Sequence, residues 1–289
     1  MNNAELPTIS IVTPSFNQGD FVEWTVCSVF EQRYPKLEYI FMDGGSGDKT
    51  LERVEQFRDR FAHFESNPDG GQSAAIAKGF AHATGEIMAY LNSDDVLLPG
   101  TLNFVAEYFR QHPAVDFVYG HRCIINENNK VIGHWILPPH SSFMMRRWDL
   151  IPQESCFWRR SLFEKKGNVD STFRFAMDYD LFVRYMNTAK FKRVNRFLAA
   201  FRVHQDAKSS TQLATVGRQE VKRVQGKYKI HLPPFIGSLF SIWVQLRSAM
   251  WVRRRGAYPG LPPGVGFGLS DVWGGCHPLE IHGCDKEGK

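Results

Sequence analysis

No stretch of this 289-residue chain approaches the roughly 20 consecutive apolar residues of a membrane-spanning helix, which argues against an integral membrane protein. Its first residues, Met1-Asn2-Asn3-Ala4-Glu5-Leu6-Pro7, have neither the basic stretch nor the apolar core of a secretory leader. Cysteine is scarce, odd in number and mostly isolated (Cys27, Cys123, Cys156, Cys276, Cys284), so no disulfide framework is implied. Together these absences predict free thiols in a reducing, cytoplasmic setting. Repeats are absent, and low complexity is confined to the Gly/Pro-rich end beyond Gly256. Neither a P-loop (G-x-x-x-x-G-K-S/T) nor a strand-linked dinucleotide fingerprint (G-x-G-x-x-G) occurs.

What remains is an ordinary globular composition, with 43% hydrophobic and 22% charged residues, enough to bury a real core. The length suits one large domain with a tail. Lys and Arg exceed Asp and Glu to give a net charge of +5, partly through Arg253, Arg254 and Arg255. That balance suits anionic partners of many kinds. Nucleic acid has only this charge in its favour and is not expected as a partner.

Short apolar runs alternate with amphipathic stretches through the first half. Residues 8–13 are β-branched and stop at Pro14, a buried strand. Phe21, Val22, Val26, Val29 and Phe30 have helical spacing over residues 21–32. Strands are expected again at 37–42, 61–65 and 86–91, with a charged helix at 49–60 and a small-residue helix at 72–83. This rhythm predicts an α/β fold whose mostly parallel sheet is flanked by helices on both faces. From about residue 115 it loosens: strand-like 115–119 and 122–126, loops with Pro138, Pro139, Phe143, Trp148 and Pro152, a helix over 178–186 and a strand over 191–203.

Open α/β sheets bind ligands at the carboxyl ends of their strands. Polar clusters follow those ends at Ser15-Phe16-Asn17, at residues 43–48 and at Asn92-Ser93-Asp94-Asp95, together the size of a nucleotide site. The acids of the last cluster suit a hard divalent cation, Mg²⁺ or Mn²⁺, bridging diphosphate oxygens. They equally suit a helix N-cap with an acidic first turn. At Asp43-Gly44-Gly45-Ser46-Gly47-Asp48, glycines let the chain bend beside a carboxylate able to accept from a base N–H. A polar turn with Asp48 as a cap is the plainer alternative. Asp69-Gly70-Gly71 feeds a helix packed closely on the sheet, and its small neighbours are also explained by packing alone. Asp178, opening a helix, could take a proton from an attacking hydroxyl or cap the helix. For Asp180 the cap is preferred.

Taken in order, Thr13-Pro14-Ser15-Phe16-Asn17, Asp43-Gly44-Gly45-Ser46, Asn92-Ser93-Asp94-Asp95 and Met177-Asp178-Tyr179-Asp180 resemble the family 2 glycosyltransferases, from about residue 8 to 204. Each motif is weak alone, and their order carries the resemblance. It implies the GT-A fold: a Rossmann-like sheet, a mixed acceptor-side region and a C-terminal helical extension. It also implies an inverting transfer of a sugar from a nucleotide diphosphate to an acceptor hydroxyl. By position, Pro14 and Asn17 would line the nucleoside pocket and Asp43 would contact the base. Ser15, Gly44, Asp69 and Ser93 would complete the nucleotide and donor site. Asp94 matches the second acid of the family's D-x-D and is implied to bind the metal, with Asp95 supporting it or the donor sugar. Asp178 is the implied catalytic base. Arg202-x-His204 resembles a late R-x-H element that reaches the diphosphate or metal, making His204 a second candidate ligand, although a lone strand histidine is as readily structural. Departures stand at Asn92, where the first acid is replaced, at Met177 in place of a Glu, and at Ala74 and Ala77, where relatives often carry Asp and Asn. Asn92 lowers the charge at the metal, and Met177 leaves one carboxylate of its pair.

The expected division is a catalytic domain over 1–229, a basic amphipathic helical extension over 230–256 and a Gly/Pro-rich tail over 257–289. Residues 235–255 have the aromatic and arginine content of an interfacial helix on an anionic membrane, or of a helix packed on protein. The expected location is therefore the cytoplasm, including the inner face of the plasma membrane. Cys276-His277 and His282-x-Cys284 are read as solvated tail rather than a zinc site. The implied partners are a nucleotide-diphosphate sugar donor and a saccharide or lipid-linked acceptor of polysaccharide or glycolipid assembly. One rival is a non-catalytic nucleotide-sugar binder, motivated by Asn92 and Met177. The other, a nucleotidyltransferase on a similar sheet, lacks its Gly-rich, Arg/Lys-bearing loop after the first strand.

Overall fold

A computed structural model describes residues 6–205, 207 and 213–230, together with Ile242 and Leu246. Apart from Ile230, Ile242 and Leu246, the expected extension over 230–256 and the tail over 257–289, with its Cys/His pairs, lie outside the described residues.

Strands β1 (Ile9–Ser15), β2 (Leu37–Asp43), β3 (His63–Ser66) and β4 (Ile87–Tyr90) pair in parallel in the order β3-β2-β1-β4. β1 runs in register with β2 from Ile9↔Leu37 to Ser15↔Asp43, and with β4 from Ile9↔Ile87 to Val12↔Tyr90. Every β1 residue is buried, as expected of a strand covered on both faces. Alternation sorts the side chains into two cores. Ile9, Ile11, Tyr39, Phe41 and Ala89 pack with α1 (Val22–Phe30) on one face. Val12, Ile40, Met42, Met88 and Tyr90 pack on the other, against Ile76 and Phe80 of the helix over Gln72–His82. That helix lies close: a Cβ at Gly79 would come 2.4 Å from Val12 Cγ1, so only glycine permits the approach. The helix expected at 49–60 is α-helical only over α2 (Thr50–Val54) and tightens into a 3₁₀ turn at Glu55–Arg60. The Gln72–His82 helix is therefore α3, and α4 (Thr101–Gln111) covers the α1 face.

Beyond β4 the sheet turns mixed, in the order β4-β8-β6-β9-β5 with β7 on β6. Here β5 is Val96–Leu97, β6 Phe117–Asn126, β7 Val131–Trp135, β8 Cys156–Arg159 and β9 Phe191–Val203. β8 is antiparallel to both β4 and β6, whereas β9 is parallel to β6. The two stretches expected at 115–119 and 122–126 are one strand, β6. Gly120 joins them, because a Cβ there would meet Arg196 O at 2.5 Å. β8 was not expected, being too short to show a period.

Helices α5 (Ser142–Met145), α6 (Arg160–Lys166), α7 (Met177–Met186) and α8 (Arg218–Lys227) complete the described chain, with a π-helical turn at Leu213–Gly217 before α8. α8 braces α7. The Glu220 carboxylate accepts from Arg174 N (2.9 Å), Phe175 N (2.8 Å) and Ala176 N (3.0 Å) at the entry to α7. Lys227 Nζ donates to Asp180 Oδ1 at 2.7 Å. The residue before α7 is Ala176, which removes the capping alternative for Asp178 and corrects the cap expected at Asp180: both acids lie in the first turn, and Asp180 is fully buried in an ion pair. Cys27, Cys123 and Cys156 are buried, unpaired thiols. Among the described residues no helix is long and apolar enough to cross a membrane.

Candidate active site

The carboxyl ends of β1, β2 and β4, with loops of the mixed half across from them, bound a cavity of about 690 Å³. Pro14, Ser15, Gly44 and Asp69 line it as expected, joined by Phe16, which is exposed and offers an aromatic face. Asn17 and Asp43 are placed differently. Asn17 takes a left-handed φ of 51°, donates its N–H to Ser46 Oγ (2.8 Å) and accepts at Oδ1 from Gly47 N (3.0 Å). Asp43 is 3% exposed. Its Oδ2 accepts from Gly45 N (3.0 Å), Ser46 N (2.9 Å) and Ser66 Oγ (2.7 Å), and its Oδ1 from Ser46 Oγ (2.5 Å). The Asp43 carboxylate organises its own loop, and Asn17 latches that loop to the end of β1.

The replaced acid, Asn92, has a physical reason. Its Oδ1 accepts from Gln72 Nε2 (2.7 Å) and its Nδ2 donates to Gln153 Oε1 (3.2 Å), while Gln153 Nε2 donates to Tyr90 O (2.7 Å). An amide both accepts and donates; an ionised carboxylate only accepts. Asparagine therefore closes a hydrogen-bond chain from α3 across β4 to the loop before β8. Ser93 and Asp94 line the cavity. Asp94 Oδ2 lies 3.2 Å from His204 Nε2, whose ring leans on Phe21 at 4.6 Å between centroids. Asp95 is 1% exposed and accepts at Oδ1 from Arg202 N (3.0 Å). Burial, then the charges of Asp94 and Glu154, push its carboxyl well above the usual range. Arg202 is buried, donating from Nε to Asp94 O (2.8 Å) and from Nη1 to Asn129 Oδ1 (2.6 Å). The R-x-H element therefore divides: His204 faces Asp94, whereas Arg202, expected at the diphosphate or metal, holds the 92–95 loop.

The Asp94–His204 pair fits a divalent cation. Ligands of one ion with bonds near 2.1 Å sit about 3 Å apart, close to the separation observed. The imidazole nitrogen favours Mn²⁺ over Mg²⁺.

Opposite this pair the cavity carries Asp149, Glu154 and Asp178. Asp178 is the second residue of α7 and accepts at Oδ1 from Tyr179 N (2.8 Å). Its surroundings push the carboxyl up to about 6; the Tyr179 N–H and Arg122 hold it down, and Glu154 adds to the rise. Glu154 is 3% exposed and pairs with Arg122, with Nε–Oε1 at 2.7 Å and Nη2–Oε2 at 2.8 Å. The Arg122 guanidinium lies over Phe201 at 4.5 Å. Asp149 opens to solvent, yet the mass of protein round it, then Asp178, push it well above the usual range against Arg122. Asp149, Gln153, Glu154 and Arg122 were not foreseen as site residues. Their only sequence signal was their place in or beside the Pro- and aromatic-rich loops.

A family model described as "Glycosyl transferase family 2" matches residues 10–168. An uncharacterized glycosyltransferase of Mycobacterium tuberculosis is 31% identical over 184 residues, covering 62% of this chain and 68% of that one. A UDP-Glc:alpha-D-GlcNAc-diphosphoundecaprenol beta-1,3-glucosyltransferase of Escherichia coli is 30% identical over 132 residues, 45% of this chain and 51% of its own length. Among solved structures, the mannosyltransferase PcManGT from Pyrobaculum calidifontis, in complex with GDP-Man and Mn²⁺, superposes with a TM-score of 0.61 at 16% identity. The superposition covers 98% of this chain and 81% of that one, a likeness of fold.

Proposed function

Because the chain belongs to glycosyl transferase family 2 and has the GT-A fold, we propose that it is an inverting glycosyltransferase. It would move a sugar from a nucleotide diphosphate to a hydroxyl of a saccharide or lipid-linked acceptor. The observation that carries this reading is one cavity joining Asp94, backed by His204, to the raised carboxyl of Asp178.

In a single displacement the acceptor oxygen attacks the anomeric carbon from the face opposite the nucleotide. The new C–O bond forms as the bond to the diphosphate oxygen breaks, and the diphosphate leaves with the electron pair. Asp178 takes the hydroxyl proton, a task suited to a carboxyl that is ionised yet basic near neutrality. Pro14, Ser15, Phe16, Gly44 and Asp69 hold the nucleoside. Asp94 and His204 would hold Mn²⁺ or Mg²⁺, which when bound supplies positive charge beside the leaving diphosphate. The Arg122–Glu154 pair stiffens the acceptor wall. Asp149 gives the cavity a second carboxylate, which softens the loss of the acid at position 177.

The E. coli relative is named for a UDP-Glc donor and a diphosphoundecaprenol-linked acceptor, and the P. calidifontis structure holds GDP-Man. Those names support UDP- and GDP-sugars as donors and a lipid-linked saccharide as acceptor. Donor hydrolysis and transfer with each, in Mn²⁺ and in EDTA, test the proposal. Turnover should require Mn²⁺, and Asp94→Ala should lower it by roughly tenfold or more. Equal turnover in EDTA and in Asp94→Ala would remove the metal from the mechanism. Donor binding with no turnover under any condition would favour the non-catalytic binder.

A further inference from the structure

Two imidazoles and a carboxylate meet at the outer edge of the sheet, and none of them lines the cavity. His63 opens β3, Glu65 follows two residues on and shares its face of the strand, and His82 closes α3. One ligand atom from each lies within 4.8 Å of the others. His63 Nε2 and Glu65 Oε2 are 3.6 Å apart, and the nitrogen is buried with no hydrogen-bond partner. That gap is long for a hydrogen bond. It is close to the edge of a coordination tetrahedron with bonds of about 2.0–2.1 Å, which spans about 3.3–3.4 Å.

The carboxylate is already oriented. Asn67 Nδ2 (3.0 Å) and Lys78 Nζ both donate to Oε1, leaving Oε2 towards His63. Outer partners of this kind fix carboxylates that bind metals. The His82 ring lies parallel to that of His63, with 15° between planes and centroids 3.7 Å apart. Parallel rings bring their nitrogens side by side, and His82 is exposed, so a swing of its side chain directs a second lone pair to the same point.

We propose that His63, Glu65 and His82 form a site for a borderline divalent transition metal, with Zn²⁺ the best match to two imidazoles and one carboxylate. The donor set differs from the oxygen-rich site at Asp94, so the two sites take different ions. A metal here clamps the start of the edge strand β3 to the end of α3, whose other end delivers Gln72 to the cavity.

Calorimetric titration of the EDTA-stripped full-length chain with Zn²⁺, beside His82→Ala, His63→Gln and Asp94→Ala, tests the site. The wild type should bind one equivalent more than His82→Ala or His63→Gln, and Asp94→Ala should keep that equivalent. Co²⁺ at the site should show visible d–d bands without the thiolate charge-transfer band that Cys276 or Cys284 would add. His82 is exposed, so His82→Ala should melt with the metal-free wild type, and the wild type alone should gain melting temperature on adding Zn²⁺. Equal stoichiometry in wild type and His82→Ala overturns the proposal. So does loss of the equivalent in Asp94→Ala.

Discussion

In the parallel half, from β1 to β4, the polar side chains behind the cavity are held by neutral N–H and hydroxyl groups. Asp43 is filled by Gly45, Ser46 and Ser66, and Asn17 is held by Ser46 and Gly47. In the mixed half the cavity carboxylates meet charged groups, an arginine or one another. Glu154 relies on Arg122, the charge of Asp178 raises the cost of ionising Asp149, and that of Glu154 raises the cost of ionising Asp178. A locally satisfied loop is stiff and electrically quiet, which suits holding a nucleotide. Crowded carboxylates share their protons unevenly, which suits moving one. On the proposed reading, the fold would keep capture and chemistry on separate halves of one sheet.

The largest test of that contrast is Asp178→Asn. Transfer should fall by about 10² to 10⁴, the usual loss for a positioned base, while nucleotide affinity stays as in the wild type. Wild-type rate should rise with pH through about 6, because only the ionised carboxylate accepts a proton. The folded-state value lies above the ordinary one, so stability is lost as pH rises through about 6. Asp178→Asn, which cannot ionise, should therefore melt no lower than wild type at pH 8. Rate profiles and melts at pH 5 and pH 8 check both points, and unchanged transfer would place the base elsewhere.

Next comes Glu154→Gln, which strips the half-buried Arg122 of its counter-charge. Chemical denaturation should show a loss of about 2–3 kcal/mol, below the full cost of breaking a buried pair because the amide still accepts one hydrogen bond. A loss under about 1 kcal/mol would make the acceptor wall as locally self-sufficient as the Asp43 loop, and the contrast would fail. The smallest effect belongs to Asp149→Asn. Coupled carboxyls release their protons in two steps, so the wild-type pH profile should bend twice and the variant's once. A variant that keeps both bends would uncouple Asp149 from Asp178.

The same division governs what could be read in advance. β1, β2 and β4 were legible because burial on both faces writes unbroken apolar runs, and Pro14, Ser15, Gly44, Asp69 and Asp94 because strand ends place them. Asp178 was legible as a residue but not in its setting. The acid that satisfies the entry to its helix is Glu220, far along the chain, and its crowding depends on Asp149 in a loop without a period. Asn92 looked like a defect until Gln72 and Gln153 were seen on either side of it. For Asp43 and Asn17 the loop's own hydrogen bonds were not legible, since a motif names residues but not which of their atoms the loop has already used.

Glu220 and Lys227 also give the molecule an order of manufacture. The ribosome releases the chain from its amino end, so β1 to β4 can pair while α8, which adds Val224 to the core on the α3 face, is still unmade. Until α8 has emerged, the entry to α7 lacks the Glu220 carboxylate, and the buried Asp180 keeps its 3.5 Å contact to Arg184 without the closer one to Lys227. Chains ending at residue 205 and at residue 230 should therefore bind the donor alike, while only the longer one transfers sugar; equal transfer by the two would show that α7 needs no brace. A nascent chain of this kind would capture its substrate before it could spend it, with α8 as the certificate that the site is complete.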